Sequence, residues 1–287
     1  MGCGSSKPES GGAEPLPEAI GGPSIAHATR RTLSVVCLHG LTMNADSLRN
    51  WEAMRSLEQR CNGIAKFYYI SAPHKFEANA WSELHHIPVD DQSRAWFTED
   101  SPEFGWGASQ THVSNFVSAQ VEGPIDVLIG YSQGGLMIAN ILQYLAKAEP
   151  YRSLRGAVFI HAPDFYGNAP NHQLCPSLKT VHIIGKRDQL VPPSSSAALA
   201  GRFMHTKTVR HDGEHYFFAP FPRNVLDSIY HTLASLNRNG SRHHALYNLS
   251  MAFALLVALT STQYLVLRYR RNSYHIECVV LVIFITV

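Results

Sequence analysis

Disulfide chemistry has little to work with in this sequence. The five cysteines, Cys3, Cys37, Cys61, Cys175 and Cys278, are odd in number and scattered, and no CxxC pair occurs. A disulfide framework is therefore not expected, and the inner four are read as reduced thiols. Histidine is plentiful at 16 residues, yet the tandem pairs His85-His86 and His243-His244 have no Cys or carboxylate at metal-ligand spacing. Neither a metal nor a cofactor is called for. Dense Lys/Arg runs are missing too, and the formal charge is only +2, which excludes nucleic acid as an expected partner. No internal repeat is found. No apolar core follows the first residues, so a secretory signal peptide is not expected. What is present is an ordinary core-forming composition: 45% of the 287 residues are apolar and 16% charged, enough for one α/β domain with terminal extensions.

The ends of the chain differ from its middle. Met1-Gly2-Cys3-Gly4-Ser5-Ser6-Lys7 fits the myristoylation pattern, with Gly2 as the acceptor and Ser6 at the required position. One acyl chain anchors only marginally; palmitoylation of Cys3 would supply the second signal. Residues from Pro8 to about His27 are rich in Gly, Pro, Glu and Ala without periodicity, so 1–30 reads as an acylated, disordered tether. The α/β domain is assigned to 31–240 and an apolar C-terminal segment to 241–287. Within it, 245–267 carries no charge and is long enough for a transmembrane helix, although its polar residues leave a buried or interfacial helix as an alternative. Arginines flank both ends, so no orientation follows. Together these features point to a membrane-associated protein with its α/β domain on the cytoplasmic face.

Between the extensions, short apolar runs alternate with helical patterns. Strands are predicted at Leu33–Leu38, Ile64–Ile70, Ile125–Ile129, Ala157–Ile160, Thr180–Ile184 and Thr206–Arg210. Helices are predicted at Ala45–Arg60 (capped by Asn44 or Asp46), Ser109–Val121, Gly134–Ala148, Ser194–Phe203 and Asn224–Leu236. Such alternation gives an α/β fold, a mostly parallel sheet with helices on both faces. The expected architecture adds a C-terminal apolar helix. The stretch from His74 to Gly107 holds three of the four tryptophans and is long for a loop, which marks it as functional or as containing short helices.

Gly130-Tyr131-Ser132-Gln133-Gly134 is a GxSxG pentapeptide set between an apolar strand and a helix. A sharp strand-to-helix turn needs small residues on both sides and lifts the serine above the sheet. At a helix N-terminus, free N–H groups and the helix dipole favour negative charge there. A serine hydroxyl needs a base, and the base an orienting acid. Asp188 follows a predicted strand and the Gly185 turn; Asp164 is the alternative acid. His215 lies in a loop before the last helix, whereas His211 and His205 fall in or beside a strand. Oxyanion donors are expected at the backbone N–H of Gln133 and of Leu41, while His39 is read as shaping the Leu41 loop.

At this point the sequence resembles a known family. Leu38-His39-Gly40 with Asn44, Ser71-Ala72-Pro73-His74, Ala95-Trp96-Phe97, the GxSxG element, Gly185-Lys186-Arg187-Asp188-Gln189-Leu190-Val191-Pro192 with Ser196, and Gly213-Glu214-His215 are similar to the FSH family of serine hydrolases, which includes the ovarian-tumour-suppressor-candidate hydrolases. The likeness covers about residues 31 to 237. It implies an α/β-hydrolase with Ser132, Asp188 and His215 as triad and carboxylesterase activity on acyl esters. Glu214 departs from the pattern, standing where the family has a second glycine. Acyl-protein thioesterases share a very similar serine motif and the Trp-Phe element, but the Gly185–Pro192 region with Ser196 fits the FSH pattern better. The expected substrate is a small-molecule or lipid acyl ester. Thioesterase or lysophospholipase activity is the near alternative, a non-catalytic membrane adaptor the distant one, and the oligomeric state is left open.

Overall fold

The computed structural model describes residues 2, 31–98, 105–164, 174–216 and 220–238. The expected acylation site Cys3, the tether apart from an exposed Gly2, and the apolar segment 241–287 lie outside these residues. Among the described residues, no helix is long and apolar enough to cross a membrane.

Six parallel strands form one sheet in the order β2-β1-β5-β6-β7-β8. They are β1 (Leu33–Leu38), β2 (Ala65–Ile70), β5 (Val127–Tyr131), β6 (Gly156–Ile160), β7 (Lys179–Gly185) and β8 (His205–His211). A short antiparallel pair, β3 (His74–Lys75) with β4 (Arg94–Ala95), stands apart. The central strands β1, β5 and β6 are buried throughout, which is why they read as unbroken apolar runs rather than alternating ones. Edge strand β8 shows water four of its first four residues, and only Val209 and His211 are buried.

Successive side chains of β1 feed opposite layers, as strand geometry requires. Val35 and Cys37 join α1 (Ala45–Asn50), α2 (Glu52–Arg60) and α7 (223–238) through Leu48, Met54, Leu57, Val225, Ile229 and Leu233. Val36 and Leu38 face α4 (Trp106–Gln120), α5 (Gln133–Tyr144) and α6 (Pro193–Gly201) through Val113, Val117, Ile138, Ile141 and Leu199. At the opposite end of the sheet from the strand C-termini, buried Asp126 accepts the Ser34 N–H at 2.9 Å and pairs with Arg31 at 2.6 Å. This junction fixes where β1 begins.

The expected helix Ala45–Arg60 is two helices. Trp51 is extended (φ −64°, ψ 126°) and divides them. Its indole packs on the Tyr131 ring at 4.8 Å and on Phe221 at 6.1 Å, contacts that turn the chain inward. Asn44 caps α1 in a reciprocal box with Ser47, settling the cap in favour of Asn44. The long stretch from His74 contains β3, α3 (Ala80–Leu84) and β4 and is tied to the core by Trp96, which is fully buried. Helix α4 starts three residues before the predicted Ser109, where Trp106 stacks on Phe97 at 4.3 Å. Cys37, Cys61 and Cys175 are free thiols; burial pushes Cys37 up and Cys61 up to about 12, leaving them as core residues.

Candidate active site

The chain leaves β1 toward β2 on one side and returns through β5 on the other, so the strand order reverses between β1 and β5. In open α/β sheets, ligands bind outside the strand C-termini at such a reversal. Ser132 directly follows β5, the 39–42 loop follows β1, Asp188 follows β7 and His215 follows β8. The topology thus collects residues more than 80 apart in sequence at one edge.

Ser132 has φ 50° and ψ −117°, a region that side chains rarely adopt. The turn is held by the Ser132 N–H, which donates to Ile160 O at 2.8 Å, and by Gly135 and Leu136 N–H, which donate back to Ser132 O. The two flanking glycines have steric reasons. A Cβ on Gly130 would lie 2.5 Å from Gly135 N, and one on Gly134 would lie 2.3 Å from Leu38 O. Gly40 is as tight, since its Cβ would come within 2.7 Å of the Tyr131 ring and 3.4 Å of Ser132 Cβ. The loop after β1 therefore lies against the serine.

All three residues of the expected triad come together. Ser132 Oγ donates to His215 Nε2 at 3.0 Å, and His215 Nδ1 donates to Asp188 Oδ2 at 2.7 Å. The other oxygen, Asp188 Oδ1, accepts from Leu190 N–H at 3.0 Å and Val191 N–H at 2.8 Å. Burial by itself would raise the Asp188 carboxyl. The hydrogen bond from His215, the charge on His215 and the Val191 N–H outweigh it and hold the group below its ordinary range. The acid is thus ionised and both its oxygens are engaged.

The alternatives are placed elsewhere. Asp164 is locked to Arg202 by hydrogen bonds of 2.9 and 2.7 Å. His205 is exposed on β8. His39 is fully buried, donates from Nδ1 to Gly40 O at 2.7 Å and accepts the Ala72 N–H on Nε2 at 2.9 Å. Burial, with the Arg94 charge, pushes it down to about 4, so it is a neutral strut of the loop. Glu214 is exposed, and positive φ among described non-glycine residues is confined to Thr42, His86, Ser132, His161 and Cys175. Position 214 therefore does not require glycine.

At Leu41 and Gln133, where oxyanion donors are expected, neither backbone N–H is engaged by another described residue. Gln133 has a second role that its sequence position does not announce. Its side-chain Oε1 accepts the Trp96 N–H at 2.8 Å and its Nε2 donates to Phe97 O at 3.2 Å. Trp96 in turn donates its indole N–H to His39 O at 2.8 Å. Sequence reasoning missed His161 altogether. It follows β6 with φ 50°, is fully buried, and donates from Nδ1 to the His215 carbonyl at 2.6 Å. His161, Asp188 and His215 are also the one set of three potential metal ligands among the described residues, with donor atoms within 4.8 Å. Each of those atoms is already committed to a hydrogen bond within the protein.

Sheet, elbow and hydrogen-bonded serine define an α/β-hydrolase. The same fold is seen in esterase PE8 (TM-score 0.53, 17% identity, covering 73% of this chain and 95% of that one). Maize acyl-protein thioesterase 2 also shares it, at TM-score 0.51 and 19% identity over 72% of this chain and 94% of that one. Residues 28–227 match the family model described as serine hydrolase (FSH1), and the chain belongs to this family of serine hydrolases. Among its relatives, Drosophila melanogaster Esterase CG5412 is 30% identical over 197 residues, 64% of this chain and 67% of its own length. Mouse Esterase OVCA2 is 27% identical over 206 residues, 66% of this chain and 91% of its own.

Proposed function

We propose that this serine hydrolase is a carboxylesterase that cleaves acyl esters through an acyl-enzyme on Ser132. The observation that carries the reading is the hydrogen-bonded line from Ser132 Oγ through His215 to an ionised Asp188. In this reading Ser132 Oγ attacks the ester carbonyl while His215 Nε2 takes its proton. The oxyanion that forms is met by the N–H groups of Leu41 and Gln133. Asp188 keeps the His215 proton on Nδ1 and stabilises the imidazolium. Collapse expels the alcohol, which receives the proton from His215, and leaves the acyl group on Ser132. Water, deprotonated by the same base, then releases the acid and regenerates the serine.

The test combines a fluorophosphonate probe with a series of p-nitrophenyl acyl esters. Wild-type protein is expected to be labelled and to turn over the esters; Ser132→Ala is expected to lose the label and at least 10³-fold in rate, on the order of what a lost triad member costs. Unlabelled wild type would support a non-catalytic adaptor instead. A strong preference for acyl-thioester peptides or lysolipids would replace carboxylesterase by thioesterase or lysophospholipase.

We also infer that dual acylation at Gly2 and Cys3 holds the domain at the cytosolic face of a membrane. The support is the sequence pattern around Gly2. Gly2→Ala should move the protein to the soluble fraction. If it stays wholly in the membrane pellet, the tether is not required and 245–267 becomes the anchor.

A further inference from the structure

Two histidines that the ester reaction does not itself use form a directed hydrogen-bond chain behind its base. Gly213 N–H donates to His211 Nδ1 at 3.0 Å. A nitrogen that accepts from a backbone amide carries no proton, so the His211 proton sits on Nε2. That Nε2–H donates to His161 Nε2 at 2.7 Å. His161 Nε2 is thereby an acceptor, and its own proton sits on Nδ1, from which it donates to the His215 carbonyl at 2.6 Å. The direction of every bond follows from one backbone amide, which has no other choice.

The surroundings make the chain rigid. The imidazoles of His161 and His211 lie edge to edge and nearly coplanar, with centroids 5.0 Å apart and planes 17° from parallel. Tyr131 OH donates to the same His215 carbonyl at 3.1 Å. Among the described residues, the ionisable groups around His161 include Tyr131 from β5, Asp188 after β7, His211 on β8 and His215, with Asp188 Oδ2 3.6 Å from Nδ1. Burial above all, then the charge on His215, pushes His161 down to about 3, and burial also lowers His211. Both rings are neutral at neutral pH. A residue needed only to fill space would be apolar, and φ 50° is a poor place for any β-carbon.

Resting on the esterase reading above, we propose that His161 is a positioning residue: a neutral imidazole held in its Nδ1–H form that clamps the His215 carbonyl and so aims the His215 ring at Ser132. Its effect belongs in the chemical step, because His215 must hold both Ser132 and Asp188 at hydrogen-bond distance. Misplacement of a reacting group by about 1 Å can cost about 10²-fold.

Two variants separate clamping from packing. His161→Leu keeps the volume and removes the donor. His161→Asn keeps a side-chain N–H near the Nδ1 position and suits a positive φ. With p-nitrophenyl butyrate, His161→Leu is expected to lower kcat about 10- to 100-fold with KM within about two-fold of wild type, and His161→Asn to restore most of kcat. Equal kcat in wild type and His161→Leu would overturn the proposal, as would equal loss in both variants. Independently of any variant, ¹⁵N NMR of histidine-labelled wild type should show His161 protonated on Nδ1, the form disfavoured in free imidazole; a proton on Nε2 would refute it. Fluorophosphonate labelling of wild type at Ser132 runs alongside. An unlabelled wild type defeats the esterase reading, whereas a labelled wild type with a fully active His161→Leu defeats the clamp alone.

Discussion

Three buried histidines make this fold expensive to keep in mild acid. His39 is pushed down to about 4, and His161 and His182 to about 3, each chiefly by burial, against an ordinary value of 6.5. His182 is the barest of them. It is stacked on Phe159 at 4.5 Å, and its Nε2 has no hydrogen-bond partner among the described residues. In the unfolded chain all three would bind protons near 6.5, while the folded protein refuses them until much lower pH. The unfolded state therefore holds more protons below 6.5, and stability is fully present above that pH and lost as pH falls toward 4. At pH 5 the linkage costs about 2 kcal/mol for each histidine and about 6 kcal/mol for the three, comparable with the whole stability of an ordinary domain. Urea unfolding followed by tryptophan fluorescence at pH 8, 7, 6 and 5 should show nearly constant stability between the first two and a steep fall between the last two. His182→Leu removes one titration and should recover about 2 kcal/mol at pH 5 relative to its own value at pH 8. Stability that stays level from pH 7 to 5, or a His182→Leu protein that loses as much as wild type, would refute the argument.

Other perturbations act at named contacts. Gly134→Ala would set a methyl 2.3 Å from Leu38 O and 2.5 Å from His39 O; we expect a loss of at least about 3 kcal/mol in thermal or urea unfolding, with probe labelling of Ser132 reduced in whatever folds. Gln133→Ala strips partners from Trp96 N–H and Phe97 O; it should destabilise by about 1–3 kcal/mol and lower kcat/KM on the ester series, although the backbone donor at 133 is retained. Asp126→Asn weakens the junction of Arg31, Arg155 and the Ser34 N–H. With both arginines partly in water, about 1–3 kcal/mol is expected by urea titration and no change in kcat, since the junction is at the far end of the sheet.

Much of this arrangement is legible along the chain because it is local or because its order is fixed by topology. The GxSxG element lies between a buried strand and a helix, and its two glycines stand two residues either side of the serine; the crowding at Gly130 is local, whereas that at Gly134 comes from the Leu38 and His39 carbonyls of β1 and the loop after it. Asp188 and His215 can be chosen because each follows a strand in a parallel sheet, where strand ends gather. Asp164 satisfies the same criterion equally well, and only its pairing with Arg202, 38 residues on, removes it. His161 was invisible for a related reason. It follows an apolar strand as an isolated histidine, and the partners that give it meaning, His211 and the His215 carbonyl, are 50 and 54 residues away. Trp51 hid the division of the first helix. Its spacing continues the apolar face of Leu48, Met54 and Leu57, and only the aromatic pocket of Tyr131 and Phe221 shows why the chain bends there.

The contact at Gly134 has a consequence for how this site tolerates change. Helix α5 rests on the Leu38 and His39 carbonyls with no side chain between them, so at this contact the spacing between the start of α5 and the loop after β1 is set by backbone. A jaw of that kind has little spring: at its hinge the two backbones touch, and side chains such as Gln133 and His39 can brace it but cannot bring it closer. A larger side chain at position 134 would therefore act as a wedge, opening the jaw rather than reshaping what it holds.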